Sequence, residues 1–540
     1  MDKRTILALG LMLALLVVFQ TYFIPKEQKQ QPPAQTQPQT ETKSQPKTET
    51  LSKPVAGETK EPNKESSAVK KETLPAKTET KATKYFVAET PYMKVTLSDL
   101  GGGISSVELK KYKATIKGDK NKEVVEDVKP YTYIPKVFQQ LTKNESTDDS
   151  TYFKPDRETL VVKDKSEVLT LTGTMGNGSK VKKIYTFNPY NYTIDLKIET
   201  EVSDSKDVYY DFTLISDKKE SSYIFKGPFV YDKKLQQIEK IEKPMEFKNN
   251  YAYAGLDEGY FTFIWMPESD SKPALTILKT EKNIPVIRLF SDRGSISGKL
   301  YFGPKETKTL ESLNVKAEKI IDFGWFDIIA KPLIWALKFS NRFTRNYGID
   351  IIILTILIAL IFHPLRVKSF KSMKKMQELQ PLIKKLKEKY PNDKQKMNQE
   401  MMEIYKTKGI NPMGGCLPMI IQIPVFFALY KGLSGAIELR HAPFMFWIND
   451  LSAPEDLFSF TVAGYTLPIR ILPLIMGISQ VIQQKMTPTS IDPMQEKMML
   501  FMPIFFTFLF WGFPSGLVLY WLVNNIISIG QQYYINKQAK

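Results

Sequence analysis

The final third of the chain is built from short apolar segments, and one of them carries amide side chains along a single helical stripe. Residues 513–532 read FPSGLVLYWLVNNIISIGQQ, in which Asn524, Ser528 and Gln531 recur at helical spacing. An amide in a membrane-spanning helix is costly unless it contacts protein or water. The stripe therefore predicts a hydrated groove inside a helical membrane domain.

Six apolar segments are candidate membrane spans. Ile6–Ile24 follows Lys3 and Arg4 without a small-residue cleavage pattern, which favours an uncleaved N-terminal anchor (residues 1–24) over a cleaved signal peptide. The other five candidates are 348–365, 413–433, 467–484, 498–513 and 515–533. Several have apolar stretches of about 16 residues, or ~24 Å of helix, so we expect them to thin a bilayer core of ~30 Å. The pattern predicts a multi-domain membrane protein with six transmembrane helices, namely the anchor and a five-helix core over residues 347–540.

Charge predicts the orientation of these helices. Residues 364–412 hold 13 Lys or Arg against 5 Asp or Glu, and cytosolic loops are enriched in positive charge. The loop 434–466 carries Arg440 against four acidic residues, which is typical of an outer loop. Both termini are therefore expected in the cytosol.

The region between the anchor and the core has two parts. Residues 25–84 are rich in Pro, Gln, Thr, Lys and Glu and predict a disordered linker. Residues 85–321 alternate apolar and polar side chains; in 192–202, Ile194, Leu196 and Ile198 share one face. This period of two predicts strands of one large β-sandwich on the outer side of the membrane.

Two helical regions flank the first core span. Residues 322–346 combine aromatic and aliphatic residues with a basic side, which predicts an amphipathic helix on the outer leaflet; a helix buried in the sandwich is the alternative. Residues 366–410 predict a cytosolic helical hairpin, broken at Pro391-Asn392-Asp393. The basic charge of this hairpin fits topology and lipid headgroups, or binding to ribosomal RNA or a targeting receptor.

Polar residues within the spans lie at the middle and in the cytosolic half of the predicted bundle. Besides the stripe of Asn524, Ser528 and Gln531, Thr355 lies in the second span and Gln422 in the third. Each alone fits an interhelical hydrogen bond that holds the bundle together. Their common depth favours a groove that opens to the cytosol and is closed to the outside.

The sequence offers no catalytic machinery. It contains no phosphate loop, zinc-protease motif or nucleophile elbow. With 1 Cys and 2 His, both His in the membrane half, a disulfide and a His-based site in the outer domain are excluded, and no metal or cofactor is expected.

Four strings resemble the YidC membrane-protein insertases and chaperones, specifically the Gram-negative type with a large periplasmic domain. They are HPLRVKSFKSMKKMQELQP (363–381), NPMGGCLPMIIQIPVFFALY (411–430), QKMTPTSIDPMQEKMMLFMP (484–503) and FPSGLVLYWLVNN (513–525). The resemblance implies an inner-membrane insertase whose partners are nascent membrane proteins, membrane lipids and the Sec translocon. It also implies a periplasmic β-supersandwich similar to sugar-mutarotase folds.

An insertase of this kind needs a polar groove and an apolar path for the substrate. By position, the slide candidates are Ile423, Phe426, Phe427, Phe501, Phe505 and Phe508, although lipid-facing or core packing fits each of them equally well. A small-solute transporter or channel is the main rival function, but no inverted repeat or mid-bilayer charge is present. A binding module merely anchored to the membrane does not explain polar residues within the spans.

The sequence departs from the resembled family at one position. The family usually carries an arginine five residues before the Pro-Leu pair that corresponds to Pro364-Leu365, and Ala359 stands there in this chain. Arg366 lies seven residues later, about two helical turns (~10 Å) along nearly the same face. We expect its side chain either to reach into the groove or to extend toward lipid phosphate.

Overall fold

The computed structural model describes most of the 540-residue chain after residue 82. The described ranges are 83–125, 133–140, 145–201, 207–213, 226–248, 250–268, 273–280, 284–409, 417–462, 465–486 and 493–538. The predicted anchor (1–24) and all but the last two residues of the predicted linker (25–84) lie outside the described residues.

The predicted β region folds as strands, and we call residues 85–321 the β domain. Its strands are β1 (Tyr85–Glu89), β2 (Met93–Ser98), β3 (Ile104–Lys113), β4 (Asn121–Val125), β5 (Lys136–Gln140), β6 (Glu145–Thr147), β7 (Lys154–Pro155), β8 (Thr159–Val161), β9 (Glu167–Thr174), β10 (Lys180–Phe187), β11 (Thr193–Thr200), β12 (Val208–Thr213), β13 (Gly227–Asp232), β14 (Gln237–Lys240), β15 (Met245–Phe247), β16 (Tyr251–Asp257), β17 (Phe261–Pro267), β18 (Ala274–Lys279), β19 (Pro285–Ser291) and β20 (Ser295–Pro304). The alternation predicted in 192–202 is confirmed over 194–199, where Ile194, Leu196 and Ile198 are buried while Lys197 between them is exposed.

These strands form three sheets. The strand orders are β4-β3-β2-β1-β8, β14-β13-β16-β17-β20-β11-β10-β9-β7 and β15-β18-β19-β12-β5-β6. Phe212 of the third sheet stacks on Phe263 and Trp265 of the second, with ring centroids 5.6 and 5.5 Å apart. The described residues thus pack as a sandwich around one continuous apolar core.

A charged pair lies inside this core. Lys183 is an inward-facing residue of β10, and its ammonium donates to the carbonyl oxygens of Gly101 and Pro135 at 2.6 and 2.9 Å. It also pairs with Asp148 at 2.8 Å, and both side chains are fully buried. The other carboxylate oxygen of Asp148 accepts the Tyr133 hydroxyl at 2.7 Å. Three acceptors around Lys183 use all three ammonium N–H donors. The buried ammonium therefore has both a counter-charge and a full set of hydrogen bonds.

The rest of the chain is mainly helical. The helices are α1 (Thr307–Glu311), α2 (Asp327–Thr344), α3 (Tyr347–Ile361), α4 (His363–Glu378), α5 (Gln380–Lys389), α6 (Lys394–Thr407), α7 (Leu417–Gly435), α8 (Ile471–Met486), α9 (Pro493–Phe510) and α10 (Ser515–Gln538). A two-stranded hairpin, β21 (Phe458–Val462) and β22 (Tyr465–Ile469), stands between α7 and α8.

Two predicted span boundaries are wrong. The span 348–365 ends at Ile361, and α4 continues from His363 at a bend of 61°, because Pro364 at the start of α4 lacks the N–H that would extend α3. The span 467–484 begins only at Ile471, since its first residues pair in β22. Within the described residues, no single helix is long and apolar enough to pass as a membrane span; only the bent pair α3 and α4 together reaches that length and composition.

A buried carboxylate joins α2 to α3. Asp350 is fully buried and accepts hydrogen bonds from three side chains of α2: Ser340 at 2.5 Å, Asn341 at 2.7 Å and Thr344 at 2.6 Å. Arg345 between the helices takes a left-handed conformation with φ 53°, and Asn346 caps α3. The joint therefore fixes the direction of α2 relative to α3.

Helix α2 carries its largest apolar side chains on its exposed face. Trp335 and Phe343 are exposed, as are Ile328 in the first turn and Trp325 just before the helix. Ile334 and Leu337 are buried. The buried stripe packs against α3 and α7. This is the helix predicted over 322–346.

The predicted hairpin 366–410 is helical but starts earlier, at His363, and its first arm breaks at Leu379 into α4 and α5. Leu379 and Ile383 pack against Tyr405 of α6, which gives the hairpin a small apolar core of its own. Asp393 caps α6 by accepting the N–H of Lys396 at 2.9 Å.

The β domain contacts the end of α7. Ile437, in a short 3-10 turn after α7, belongs to the apolar core of the β domain. Arg440 donates to the carbonyl oxygens of Lys113 and Ala114, at 2.8 and 3.2 Å, at the end of β3. Lys338 of α2 pairs with Glu438 at 2.6 Å.

Candidate functional site

The polar stripe of α10 meets one guanidinium. Arg366, in the first turns of α4, donates through Nη2 to Asn524 Oδ1 at 2.6 Å and through Nη1 to Ser528 Oγ at 2.9 Å. Nη1 also lies 3.4 Å from Gln531 Oε1. The predicted stripe is therefore one side of a polar cluster with Arg366 at its centre, which we call the Arg366 cluster.

The bend between α3 and α4 places this arginine. Phe362 separates the two helices, and α4 begins at His363 at 61° to α3, so the first turns of α4 run against α10. On the same polar face, Gln531 Nε2 lies 3.0 Å from His363 Nδ1. The guanidinium thus points into the bundle rather than out from it.

Arg366 is a buried cation whose hydrogen-bond partners in the cluster are all uncharged. Its side chain is only 4% exposed, and its partners in the cluster are an amide, a hydroxyl and a second amide, all neutral. Within the residues that the structure describes, Arg366 forms no ion pair. A buried charge held by neutral groups alone attracts an anion more strongly than an exposed one does.

A cleft adjoins the cluster. It is small, partly open to solvent, and lined by Phe362, Leu365, Arg366, Ile421 and Gln422. Gln422 of α7 donates to the Tyr520 hydroxyl of α10 at 3.1 Å. The predicted groove residues Gln422, Arg366, Asn524, Ser528 and Gln531 therefore lie along one path between α4, α7 and α10.

Other polar residues hold the helices instead of lining this path. The Thr355 hydroxyl, predicted to face the groove, donates to Ile351 O of its own helix at 2.6 Å. Asn525 donates to Ser479 at 3.0 Å, and Gln532 to Met486 O at 2.7 Å, both of α8. These two amides form interhelical hydrogen bonds that hold the bundle together. Such bonds were the alternative to a groove for polar residues within the spans.

Aromatic rings fill the bundle on the N-terminal side of the stripe in α10. Phe426 lies 5.3 Å from Trp521 and 5.6 Å from Phe510, measured between ring centroids, and Phe510 lies 5.0 Å from Trp521. Phe506, Phe513 and Tyr430 complete what we call the aromatic cluster. The rings therefore occupy the bundle around Trp521, on the N-terminal side of the stripe.

The six slide candidates do not form one surface. Phe426 and Phe427 are buried, and Phe426 belongs to the aromatic cluster, so these two are core residues in this structure. Phe501 and Phe508 are exposed at equivalent positions of α9, and Phe505 between them is half-buried. Ile423 is half-buried on α7.

Two partners of the path were missed from the sequence. Tyr520 lies four residues before Asn524, so the 520–524–528–531 spacing could have shown that it extends the stripe. His363 has no such signal in the sequence, since its contact with Gln531 depends on the bend at Phe362. Within the described residues, no three His, Cys, Asp or Glu side chains are placed to hold a metal ion.

Family models match both halves of the chain. Residues 86–336 match the model described as the YidC periplasmic domain, and residues 339–540 match the 60Kd inner membrane protein model. The fold and the polar path therefore belong to an inner membrane protein with a large periplasmic domain.

Curated relatives are similar over most or all of the chain. The membrane protein insertase YidC of Syntrophus aciditrophicus (strain SB) is 41% identical and covers 100% of both chains. That of Geobacter sulfurreducens is 40% identical, covering 83% of this chain and 85% of its own. A solved structure titled as an active YidC insertase is 20% identical, covers 84% of this chain and 93% of that one, and superposes with a TM-score of 0.38. The chain belongs to the YidC family of membrane protein insertases, which is not an enzyme family.

Proposed function

We propose that the Arg366 cluster is the place where this insertase first holds the polar flank of a nascent membrane protein. The supporting observation is that the Arg366 guanidinium is buried and bonded only to neutral groups of α10. A carboxylate of the substrate brings an opposite charge and two oxygens, so it forms a bidentate ion pair with the guanidinium that a neutral amide or hydroxyl does not form. An acidic segment therefore replaces Asn524, Ser528 and Gln531 as the partner of Arg366.

Exchange of partners gives the groove a defined mechanism. The three α10 side chains keep Arg366 hydrogen-bonded when no substrate is present, so the charge is never left fully unpaired. When the substrate arrives, these side chains are released to bond its backbone and polar side chains. The polar flank then crosses part of the membrane without leaving hydrogen-bonding partners.

The apolar part of the substrate takes a different route. Exposed Phe501 and Phe508 of α9, with half-buried Phe505 and Ile423, offer an apolar surface on which it slides toward lipid. The aromatic cluster closes the other end of the polar path. Hydrophobic partitioning and the membrane potential supply the driving force, without a nucleotide.

Arg366 takes over the role that the family resemblance assigns to the position of Ala359. Ala359 is buried in α3, so a side chain there also points into the bundle. The 61° bend brings Arg366, seven residues later, onto the stripe of α10. The charge is thereby moved along the chain while its access to the groove is kept.

The topology and remaining partners follow from the charge pattern. In this proposal the helices from α3 to α10 form a five-span core, both termini are cytosolic, and the basic hairpin of α4 to α6 lies in the cytosol. There it meets lipid headgroups, ribosomal RNA or a targeting receptor. The protein works alone or with the Sec translocon.

The test compares two substrates that differ only in the charge of the translocated tail. Wild type, Arg366→Gln, Arg366→Lys and Lys368→Gln are reconstituted into vesicles, and protease protection measures insertion of a single-span substrate with an acidic or an amide-substituted tail. Lys368→Gln is the matched control, because it removes one exposed charge from the same helix. We expect Arg366→Gln to slow insertion of the acidic tail by about tenfold or more, since a charge-assisted hydrogen bond contributes ~1.5–3 kcal/mol. Arg366→Lys restores part of the rate.

Two results would contradict the proposal. Equal slowing of both tails by Arg366→Gln assigns Arg366 to the packing of α4 against α10 alone. An unchanged rate for both tails removes any role for its charge. Photocrosslinking of stalled nascent chains from position 422 separates insertion from small-solute transport, which predicts no adducts there.

A further inference from the structure

The hairpin β21–β22 pairs apolar residues with apolar residues. Its register places Phe458 opposite Ile469, Phe460 opposite Leu467 and Val462 opposite Tyr465. The intervening pairs are Ser459 with Pro468 and Thr461 with Thr466. Successive residues of a strand point to opposite faces, so Phe458, Phe460 and Ile469 share one face of the hairpin, its apolar face, and Ser459 and Thr461 lie on the other.

The apolar side chains of β21 are presented to the surroundings. Phe458 and Phe460 are 57% and 42% exposed, and Leu457 just before them is exposed as well. The thirteen residues from 457 to 469 include no charged side chain, whereas Asp456 and Arg470 stand directly outside them. An uncharged ribbon with exposed rings is a liability in water, because its edges and its apolar face both favour association.

The base of the hairpin is fixed. Arg470 Nε donates to Glu455 O at 3.1 Å, and its Nη1 donates to Trp511 O near the end of α9. The Glu455 carboxylate accepts the Leu472 N–H at 2.5 Å, at the start of α8, and the Trp447 indole N–H at 2.6 Å. A two-stranded ribbon alone is marginally stable, so this mounting holds it in one direction relative to α8 and α9.

We propose that this hairpin is an outer-leaflet lipid anchor whose apolar face lies at the boundary between headgroups and acyl chains. The inference rests on the topology proposed above, which places the loop between α7 and α8 on the outer side. The apolar face is continuous with lipid-facing residues, because β22 ends two residues before α8, whose exposed side chains include Ile475, Ile478 and Ile482.

The backbone fixes the depth. The outer edge of each strand has no neighbouring strand within the two-stranded sheet, so its outward N–H and C=O groups need water or headgroups. The hydrocarbon centre is excluded for that reason, and the bulk water phase is disfavoured by the exposed rings. The anchor also fixes the N-terminal end of α8 relative to the bilayer surface.

Adjacent residues of β21 give a matched test. The sole cysteine is removed as Cys416→Ser, and Phe460→Cys and Ser459→Cys are made separately and labelled with bimane. Both side chains are exposed, so neither label needs space in a core. The full chain is placed in nanodiscs of phosphatidylethanolamine and phosphatidylglycerol, with and without brominated acyl chains, and quenching by brominated lipid and by aqueous iodide is measured.

We expect the label at 460 to be quenched by brominated lipid and to lose most of its iodide quenching, with the reverse pattern at 459. Equal iodide quenching at both positions overturns the anchor, as does shielding of 460 without brominated-lipid quenching, which indicates a protein partner. The same variants are assayed for insertion in vesicles. If insertion persists while 460 is open to iodide, the anchor fails and the groove proposal stands.

Discussion

Removal of Lys183 is expected to destabilise the β domain strongly. Lys183→Met keeps the length of the side chain but removes three hydrogen bonds: those to Gly101 O, to Pro135 O and to Asp148. Asp148 stays fully buried with the Tyr133 hydroxyl as its remaining side-chain donor. Loss of one partner of a buried pair costs about 3–5 kcal/mol, because the other charge is left uncompensated.

That cost depends on pH. Burial raises the pKa of the Asp148 carboxyl, and the Lys183 ammonium opposes the rise. Without Lys183 the folded-state pKa rises further above the unfolded value of about 3.9. A raised pKa in the folded state means stability that is present at low pH and lost as pH rises through that pKa. The deficit of Lys183→Met is therefore smallest near pH 4 and largest at neutral pH.

Hydrogen exchange of the β10 amides in the full chain measures the free energy of opening. For a domain of this size, a loss of 3–5 kcal/mol corresponds to a fall of about 6–20 °C in Tm. Lys182→Met is the control, since Lys182 is the exposed neighbour on the same strand. Adding Asp148→Asn to Lys183→Met should recover much of the loss, because the amide is neutral and still accepts from Tyr133. A loss below about 1 kcal/mol, or one equal to that of Lys182→Met, would refute the reasoning.

Two further predictions concern single carboxylates. Asp350→Asn places an amide donor among the three side-chain donors of α2. We expect amide hydrogen exchange over 340–350 to accelerate by about ten- to a hundredfold, because an unsatisfied buried group costs ~1–3 kcal/mol. Unchanged protection would contradict this. At Asp322, burial favours a higher pKa. The hydrogen bond and charge of Lys240, with smaller contributions from neighbouring groups that also lower it, hold the pKa of this carboxyl below its ordinary value. The stabilisation from the ionised Asp322 is present above the pKa of the unfolded chain and is lost as pH falls through the pKa of the folded protein. Asp322→Asn should therefore remove this part of the acid sensitivity of unfolding. Identical pH profiles of stability for wild type and variant would exclude this contribution.

The strands could be predicted because their signal is local. A period of two is visible in Ile194, Leu196 and Ile198 without knowledge of any partner strand. The same pattern hides Lys183, which occupies an inward position of β10 although its residue type suggests the surface. Its acceptors at Gly101 and Pro135 are 82 and 48 residues away, so only the assembled sheets show why a lysine fits there.

The candidate site was predictable in part for a similar reason. The stripe of Asn524, Ser528 and Gln531 follows from helical spacing on one helix. The position of Arg366 depends on a bend whose size the sequence does not contain, although Pro364 indicates where a break falls. The burial of Phe426 depends on rings from α9 and α10, so sequence position alone could not separate a slide residue from a core residue.

The contact between the β domain and the end of α7 constrains its two sides differently. Arg440 is held by the main-chain oxygens of residues 113 and 114, which every amino acid provides. Replacement of the side chains at these two positions leaves the acceptors in place, whereas an insertion or deletion in that turn displaces them. This contact therefore places no demand on the side chains at positions 113 and 114 but constrains the length of the turn, while position 440 needs a long, forked donor.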